Sequence, residues 1–252
     1  MIRQPRLSPT PGNAVGTELI RNREFLALWF VGAALNTVRW LEILAIGVVV
    51  FEMTASPFHV ALMVILRFLP LALLGALAGA IAERINRSLC LIASVFAMTF
   101  VSLFFSLMTF LGHATLWLLG ASVLLNGLLW ALDNPVRRTM FGEVVRPEQL
   151  GAAMTLDTVT NNSTRFVGPV LGGLFLEFAG ISGVFLLGAI LYAFATVSAW
   201  LGARVSAGQL PGGRPSVVSA VVSGLRLLRK ERDLQGVMAV TIIFNVWGFP
   251  FV

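Results

Sequence analysis

Charge is scarce in this sequence. Asp, Glu, Lys and Arg make up 12% of its 252 residues, about half the share of an ordinary soluble domain. Cysteine is rarer still. Cys90 stands alone, which excludes an intrachain disulfide and a thiolate metal cage. The two histidines, His59 and His113, fall in turns between apolar runs and match no metal-ligand spacing, so neither metal nor cofactor is expected. The stretch "GALAGAIAER" lacks the Gly-Lys-Ser/Thr ending of a phosphate-binding loop, which removes direct ATP drive. No nucleophile–base arrangement stands out either, and no enzyme activity is expected.

In place of charge the chain has long apolar runs. Hydrophobic residues are 57% of the total, and the mean hydropathy is +0.87. Six segments reach the length of about 20 residues that crosses a bilayer: Phe25 to Phe51, Phe58 to Ala82, Leu89 to Leu111, Leu116 to Leu132, Ala152 to Phe178, and Val184 to Ala203. A seventh starts near Gly236 and runs to Val252. Backbone groups in lipid must be satisfied internally, and runs this long without period-2 alternation predict helices instead of a barrel. The fold class is therefore all-α, a polytopic transmembrane bundle.

The connectors alternate in character. Ala55-Ser56-Pro57, Gly112-His113 and Gly180-Ile181-Ser182-Gly183 carry no Lys or Arg, whereas the other set holds 15 of the 18 Lys and Arg residues. By the positive-inside rule the N-terminus is cytoplasmic. The same distribution explains the net charge of +6 and the isoelectric point near 11.2 without a nucleic-acid partner, which would need the bases gathered on one solvated face. The organisation reads as a cytoplasmic tail over 1–24, a six-helix bundle over 25–203, a linker over 204–235 and a partial seventh span over 236–252. Within the linker, Val218, Val221, Val222, Leu225 and Leu228 recur at helical spacing opposite Arg226, Arg229, Lys230 and Arg232, which predicts an amphipathic helix on the anionic leaflet. The chain reads as the front part of a longer polypeptide.

The turn between the second and third spans, "GAIAERINRS", resembles the signature loop of the major facilitator superfamily in the pattern Gly79-x-x-x-Glu83-Arg84-x-Asn86-Arg87. Glu83 replaces the usual Asp, and Asn86 the usual turn glycine, a mild change because Asn tolerates the left-handed backbone. Further stretches, "FEMTASPFHVALMVILRFLPLALLGALAGAIAER" and "LDNPVRRTMFGEVVRPEQLGAAMTLDTVTNNSTRFVGPVLGG", resemble the bacterial drug and siderophore exporters of that superfamily. Gly168-Pro169-x-x-Gly172-Gly173 corresponds to the core of their antiporter motif, although Thr164 stands where an upstream glycine is usual. The resemblance implies the N-terminal half of a twelve-helix fold, with spans 1–3 and 4–6 as inverted repeats. It also implies a conformational latch in which Arg87 faces an acid on span 4, for which Asp133 is the candidate. Glu83 would face a helix of the second half.

Arg39, Arg67, Arg165 and Glu42 lie inside spans. At 1.5 Å per residue, Arg39 and Glu42 are roughly 20–25 Å from the cytoplasmic end of span 1, Arg67 roughly 14 Å from the outer end of span 2, and Arg165 roughly 20 Å up span 5. All four thus share a depth near the midplane, where a charge needs a cavity or a partner. Glu42 can pair with Arg39 at i,i+3 or with Arg67 on the neighbouring helix. The set is either a group of internal salt bridges or a substrate-facing cluster. Three arginines against one glutamate leave an excess near +2, balanced either by the absent second half or by an anionic substrate group, which guanidinium forks suit. Glu42 is a candidate proton-coupling carboxylate and Asp157 the alternative. Asn36, Asn126, Asn161 and Asn162 can line the same cavity, with Trp40 and Trp130 either lining it or packing in the bundle.

These features imply a secondary active transporter in the bacterial inner membrane, exporting a small amphipathic or anionic compound by alternating access, with protons as coupling ion. Two alternatives remain open: a lysophospholipid flippase, and a transport-dead sensor or scaffold of the same fold.

Overall fold

The computed structural model describes residues 18–82 and 86–203, with Gly236 and Val240 as isolated helical positions. The bundle is built from α1 (Arg23–Thr54), α2 (Pro57–Ala82), α3 (Arg87–Phe110), α4 (Leu116–Val144) and a continuous stretch, Pro147–Ala203. In that last stretch Gly180 is non-helical, with φ 64° and ψ −171°, a conformation open to glycine and costly for any side chain. It separates α5 (147–179) from α6 (181–203). The expected four-residue turn is therefore one residue long, because a single glycine reverses the chain. All these helices belong to the unit that ends at Leu210. The expected linker helix and seventh span lie outside the described residues, apart from Gly236 and Val240.

Helix ends depart from the apolar runs where polar chemistry takes over. Residues 18–21, expected in the tail, are helical, and Leu19 is buried in the core. Asn22 then caps α1, its Oδ1 accepting from the amides of Glu24 and Phe25, while its Nδ2 donates to the Val144 carbonyl at the end of α4. One asparagine thus satisfies orphan groups at two helix ends. The larger difference is in α4, which continues through Pro135 to Val144, although the apolar run ends at Leu132. A proline removes one backbone hydrogen bond, and close helix neighbours make that tolerable inside a membrane bundle. Asn86 differs as well. Its φ is −60° and ψ 109°, and its Oδ1 accepts from the Leu89 amide. It is an extended N-cap for α3, not a left-handed substitute for glycine.

Helix pairing follows a two-fold logic. Gly168 and Gly172 of α5 lie against the backbone of α1, where an added Cβ would come within 2.9 Å of the Thr37 carbonyl and 2.6 Å of the Leu41 carbonyl. Gly127 of α4 lies against the Arg67 carbonyl of α2. Along α6, Ser198 donates to the Ala27 carbonyl of α1, Ser102 of α3 donates to the Phe185 carbonyl at 2.8 Å, and Ser106 donates to the Ser182 carbonyl at 2.9 Å. Exchanging α1–α3 with α4–α6 carries the α1–α5 contact onto α4–α2 and the α1–α6 contact onto α4–α3, and all four contacts occur. Lipid supplies no hydrophobic drive between helices, so small residues and interhelical hydrogen bonds hold these crossings. The glycines of the antiporter-like motif accordingly pack α5 on α1. Large apolar side chains such as Phe166, Phe178, Phe100 and Phe110 cover the outside.

Two glycines of α4 should respond oppositely to alanine. Gly127→Ala drives a methyl into the Arg67 carbonyl and should cost about 1–3 kcal/mol. Gly142, with no atom near its added Cβ, should gain about 0.4–1 kcal/mol from the same change. Thermal unfolding in detergent reads both signs.

Candidate functional site

Six charged residues are buried in the described bundle: Arg39, Glu42, Arg67, Asp133, Arg137 and Asp157. They fall into two groups. The first joins α1, α2 and α4. Glu42 is 0% exposed. Its Oε2 accepts from Arg67 Nη2 at 2.6 Å and from Asn126 Nδ2 at 3.3 Å. Of the two partners open to Glu42, Arg67 makes the ion pair. Arg39 instead lays its guanidinium over the Trp130 ring, 3.8 Å from the centroid, a close cation–π contact. Gly188 of α6 clears space for the cluster: a Cβ there would meet Ser102 Oγ at 2.9 Å and Glu42 Oε1 at 3.6 Å.

A small cavity opens beside this group, lined by Arg39, Arg67, Asn126, Trp130 and Tyr192 among others. It holds about one water molecule. Tyr192, the chain's single tyrosine, was not singled out from the sequence. A lone aromatic in an apolar span carries no signal until its neighbours are known. Arg165 stands close by, 5.2 Å over the Trp40 ring on the α1–α5 face. Asn36 is buried on α1, while Asn161 is half-buried and Asn162 exposed on α5, so the paired asparagines do not join the cluster.

The second group lies nearer the basic end and joins α1, α4 and α5. Arg137 Nη1 donates to Asp157 Oδ1 at 2.7 Å, and Arg138 Nε stands 3.9 Å from Oδ2. Arg137 also faces the Phe141 ring at 5.5 Å. Its guanidinium occupies the space that a side chain at Gly32 would need. Asp157, expected in the substrate cavity, is thus held in an ion pair with a residue expected in a solvated connector. The extension of α4 beyond Leu132 causes both differences, because it carries Arg137 inside the bundle. Arg137 and Gly32 escaped the sequence reading for that reason.

Charge accounting changes accordingly. The buried set holds three arginines and three carboxylates, so it is neutral, and the expected excess near +2 does not arise within it. The latch partners also shift. Arg87 forms an ion pair with Glu143 on the last turn of α4, where the expectation was Asp133. Asp133 lies deep in the bundle, 2% exposed, and its charged neighbours are Arg137, Arg39 and Asp157. Gly79, Glu83 and Arg84 of the signature loop lie outside the described residues or side chains. No group of three metal-ligating side chains occurs among the described residues.

Residues 17–249 match the family described as transmembrane secretion effector, MFS_3. The MFS-type transporter YfiS of Bacillus subtilis is 23% identical over 240 residues, 90% of this chain and 55% of that protein. The multidrug resistance protein MdtH of Sodalis glossinidius is 32% identical over 171 residues, 67% of this chain and 39% of that protein. A multidrug resistance protein, MdtD, from Escherichia fergusonii is 30% identical over 132 residues, 52% of this chain and 27% of that protein. The chain thus spans about half, or less, of the length of these curated relatives.

Removing one member of the mid-depth pair should be far worse than removing both. Arg67→Met leaves Glu42 buried without its cation and should cost about 3–5 kcal/mol. The double substitution Glu42→Gln, Arg67→Met should recover most of that loss. A double-mutant cycle by thermal unfolding in detergent measures the coupling, and additive losses would contradict an ion pair that stabilises chiefly by mutual neutralisation.

Proposed function

The chain belongs to the transmembrane secretion effector family of the major facilitator superfamily, and from that premise we propose that it supplies one half of a secondary active exporter. The substrate is a small amphipathic or anionic compound, moved by alternating access and coupled to protons. The wall of the substrate path in this half is the face that holds Arg39, Arg67, Asn126 and Tyr192. A second six-helix half completes the path from the other side.

The observation that carries this reading is the Glu42–Arg67–Asn126 cluster at mid-depth. A bundle built for stability alone gains little from a buried ion pair, since apolar residues of similar volume do as well or better. Charges kept inside a membrane bundle characteristically mark a substrate or ion path. The cavity beside Arg39, and the two arginines stacked on tryptophans, supply groups that recognise an anionic or aromatic moiety. The multidrug resistance names of two relatives favour a broad amphipathic substrate. The same family and names favour a transporter over an enzyme, and an inner-membrane location with the basic end in the cytoplasm accords with the charge asymmetry.

The Arg87–Glu143 pair extends this reading to gating. It ties the start of α3 to the end of α4 at the basic end, with Arg87 half-buried and Glu143 exposed. This pair, with the signature loop beside it, holds one conformation and breaks in the other.

Full-length protein in liposomes tests the function: an imposed pH gradient should drive flux of a fluorescent amphipathic compound. Flux without gradient dependence would remove the proton coupling, and lipid movement in its place would favour a flippase. For the gate, Arg87→Ala and Glu143→Ala should each slow turnover several-fold without loss of membrane insertion. The exchanged pair Arg87→Glu, Glu143→Arg should restore much of the rate, and no recovery would argue against a direct pair.

A further inference from the structure

We propose that Asp133 is the carboxylate of this bundle that binds and releases a proton. This deepens the exporter reading, on which its link to transport rests. The proton site itself can be tested without a substrate.

The three buried carboxylates differ in how their charge is met. Glu42 is held by the Arg67 ion pair at 2.6 Å and by Asn126. Asp157 is held by Arg137 at 2.7 Å, with Arg138 beyond. Oε1 of Glu42 and Oδ1 of Asp133 are both buried without a hydrogen-bond partner, but Asp133 in addition has no direct ion pair among the described residues. The cations that bear on it are both committed elsewhere, Arg137 to Asp157 and Arg39 to the Trp130 ring. A buried carboxylate so placed is costly as an anion. It has two ways to relieve that cost, taking up a proton or recruiting one of the two arginines.

Position makes this choice consequential. Asp133 lies on α4 between the two ion groups, with Arg137 one turn further along its own helix. Arg39 faces it from α1, Cys90 from α3, Asp157 from α5 and Tyr192 from α6. When Asp133 is charged, it competes with Asp157 for Arg137 and with the Trp130 ring for Arg39. When it is neutral, Arg137 stays with Asp157 and Arg39 is left to the cavity that it lines. A proton on one atom thus selects between two arrangements of the same two arginines, one of which sits at the proposed substrate wall. The balance is simple: the carboxylate gains or loses one proton, and the buried set moves between neutral and +1.

Infrared difference spectroscopy of the full-length purified protein, titrated across the physiological pH range, tests the assignment. Wild type should show a protonated-carboxyl C=O band that disappears as pH rises. The band should be lost in Asp133→Asn, kept in Glu42→Gln, and moved to lower pH in Asp157→Asn, which frees Arg137 to meet the Asp133 charge. Thermal unfolding establishes that each variant folds, and Asp133→Ser serves as a second variant if Asn does not. A band that persists without Asp133, or is absent from wild type, overturns the proposal. Gradient-driven flux in the same preparations separates the two readings. If the band maps to Asp133 but wild type shows no gradient-dependent flux, the proton site stands and the proton-coupled exporter falls. If wild type is gradient-driven and Asp133→Asn retains that drive undiminished, the exporter stands and the role of Asp133 falls.

Discussion

The Glu42–Arg67 ion pair sets the terms for the rest of the bundle. A charge at mid-depth costs a few kcal/mol even on lenient insertion scales, so neither residue is tolerable there alone. Holding them 2.6 Å apart requires α1 and α2 to present both residues at one depth. It requires α4 to bring Asn126, and α6 to leave space at Gly188. Gly127 lets α4 lie directly on the Arg67 carbonyl, so the residue that supplies the cation also supplies the tightest backbone contact in its helix pair. Chemistry and packing meet at one position.

The same demand is met again one layer away, with Arg137 and Asp157 tying α4 to α5 beneath Gly32 of α1. Helices α1 and α4 take part in both layers. Moving α1 independently would separate the Glu42–Arg67 pair, and moving α4 the Arg137–Asp157 pair, in a medium that cannot solvate the fragments. Large motion within this bundle is therefore disfavoured, and rigid-body rocking of the whole unit would be the cheaper route to the proposed alternating access. Small changes remain available to groups that are not locked, such as Arg39 on its tryptophan and the uncommitted Asp133.

Most of the architecture was legible in the sequence because lipid imposes a simple rule: a run of about 20 apolar residues is a helix. The helices and their order followed from it, and Glu42 and Arg67, placed by it inside neighbouring helices, meet in an ion pair. The rule reports where a chain crosses lipid, however, and not how far its helices extend. That gap produced the misreading around Asp133–Val144, where polar and charged residues follow the apolar run that ends at Leu132. A helix running on past Pro135 carries Arg137 indoors, and with it goes the partner of Asp157. The partner of Arg87 was lost for the same reason, since Glu143 was read as connector. Pairings between helices depend on rotation about each axis, which a single sequence does not encode plainly. Gly32, Gly188 and Tyr192 owe their importance to such pairings alone.

Neutrality of the buried set bears on what a proton can be exchanged for. With three cations matched by three anions, proton uptake by any carboxylate leaves one arginine uncompensated. A bound anion and a proton then favour each other through that arginine, whereas a positively charged or polarised group competes with the proton for the carboxylate. Exchange transport against inward protons needs the second relation, since substrate and proton must occupy the bundle in alternate halves of the cycle. Within the proposed range of substrates, the charge balance therefore favours amphipathic compounds that bind without a full negative charge in this half. An anionic group would need its own cation from outside the buried set.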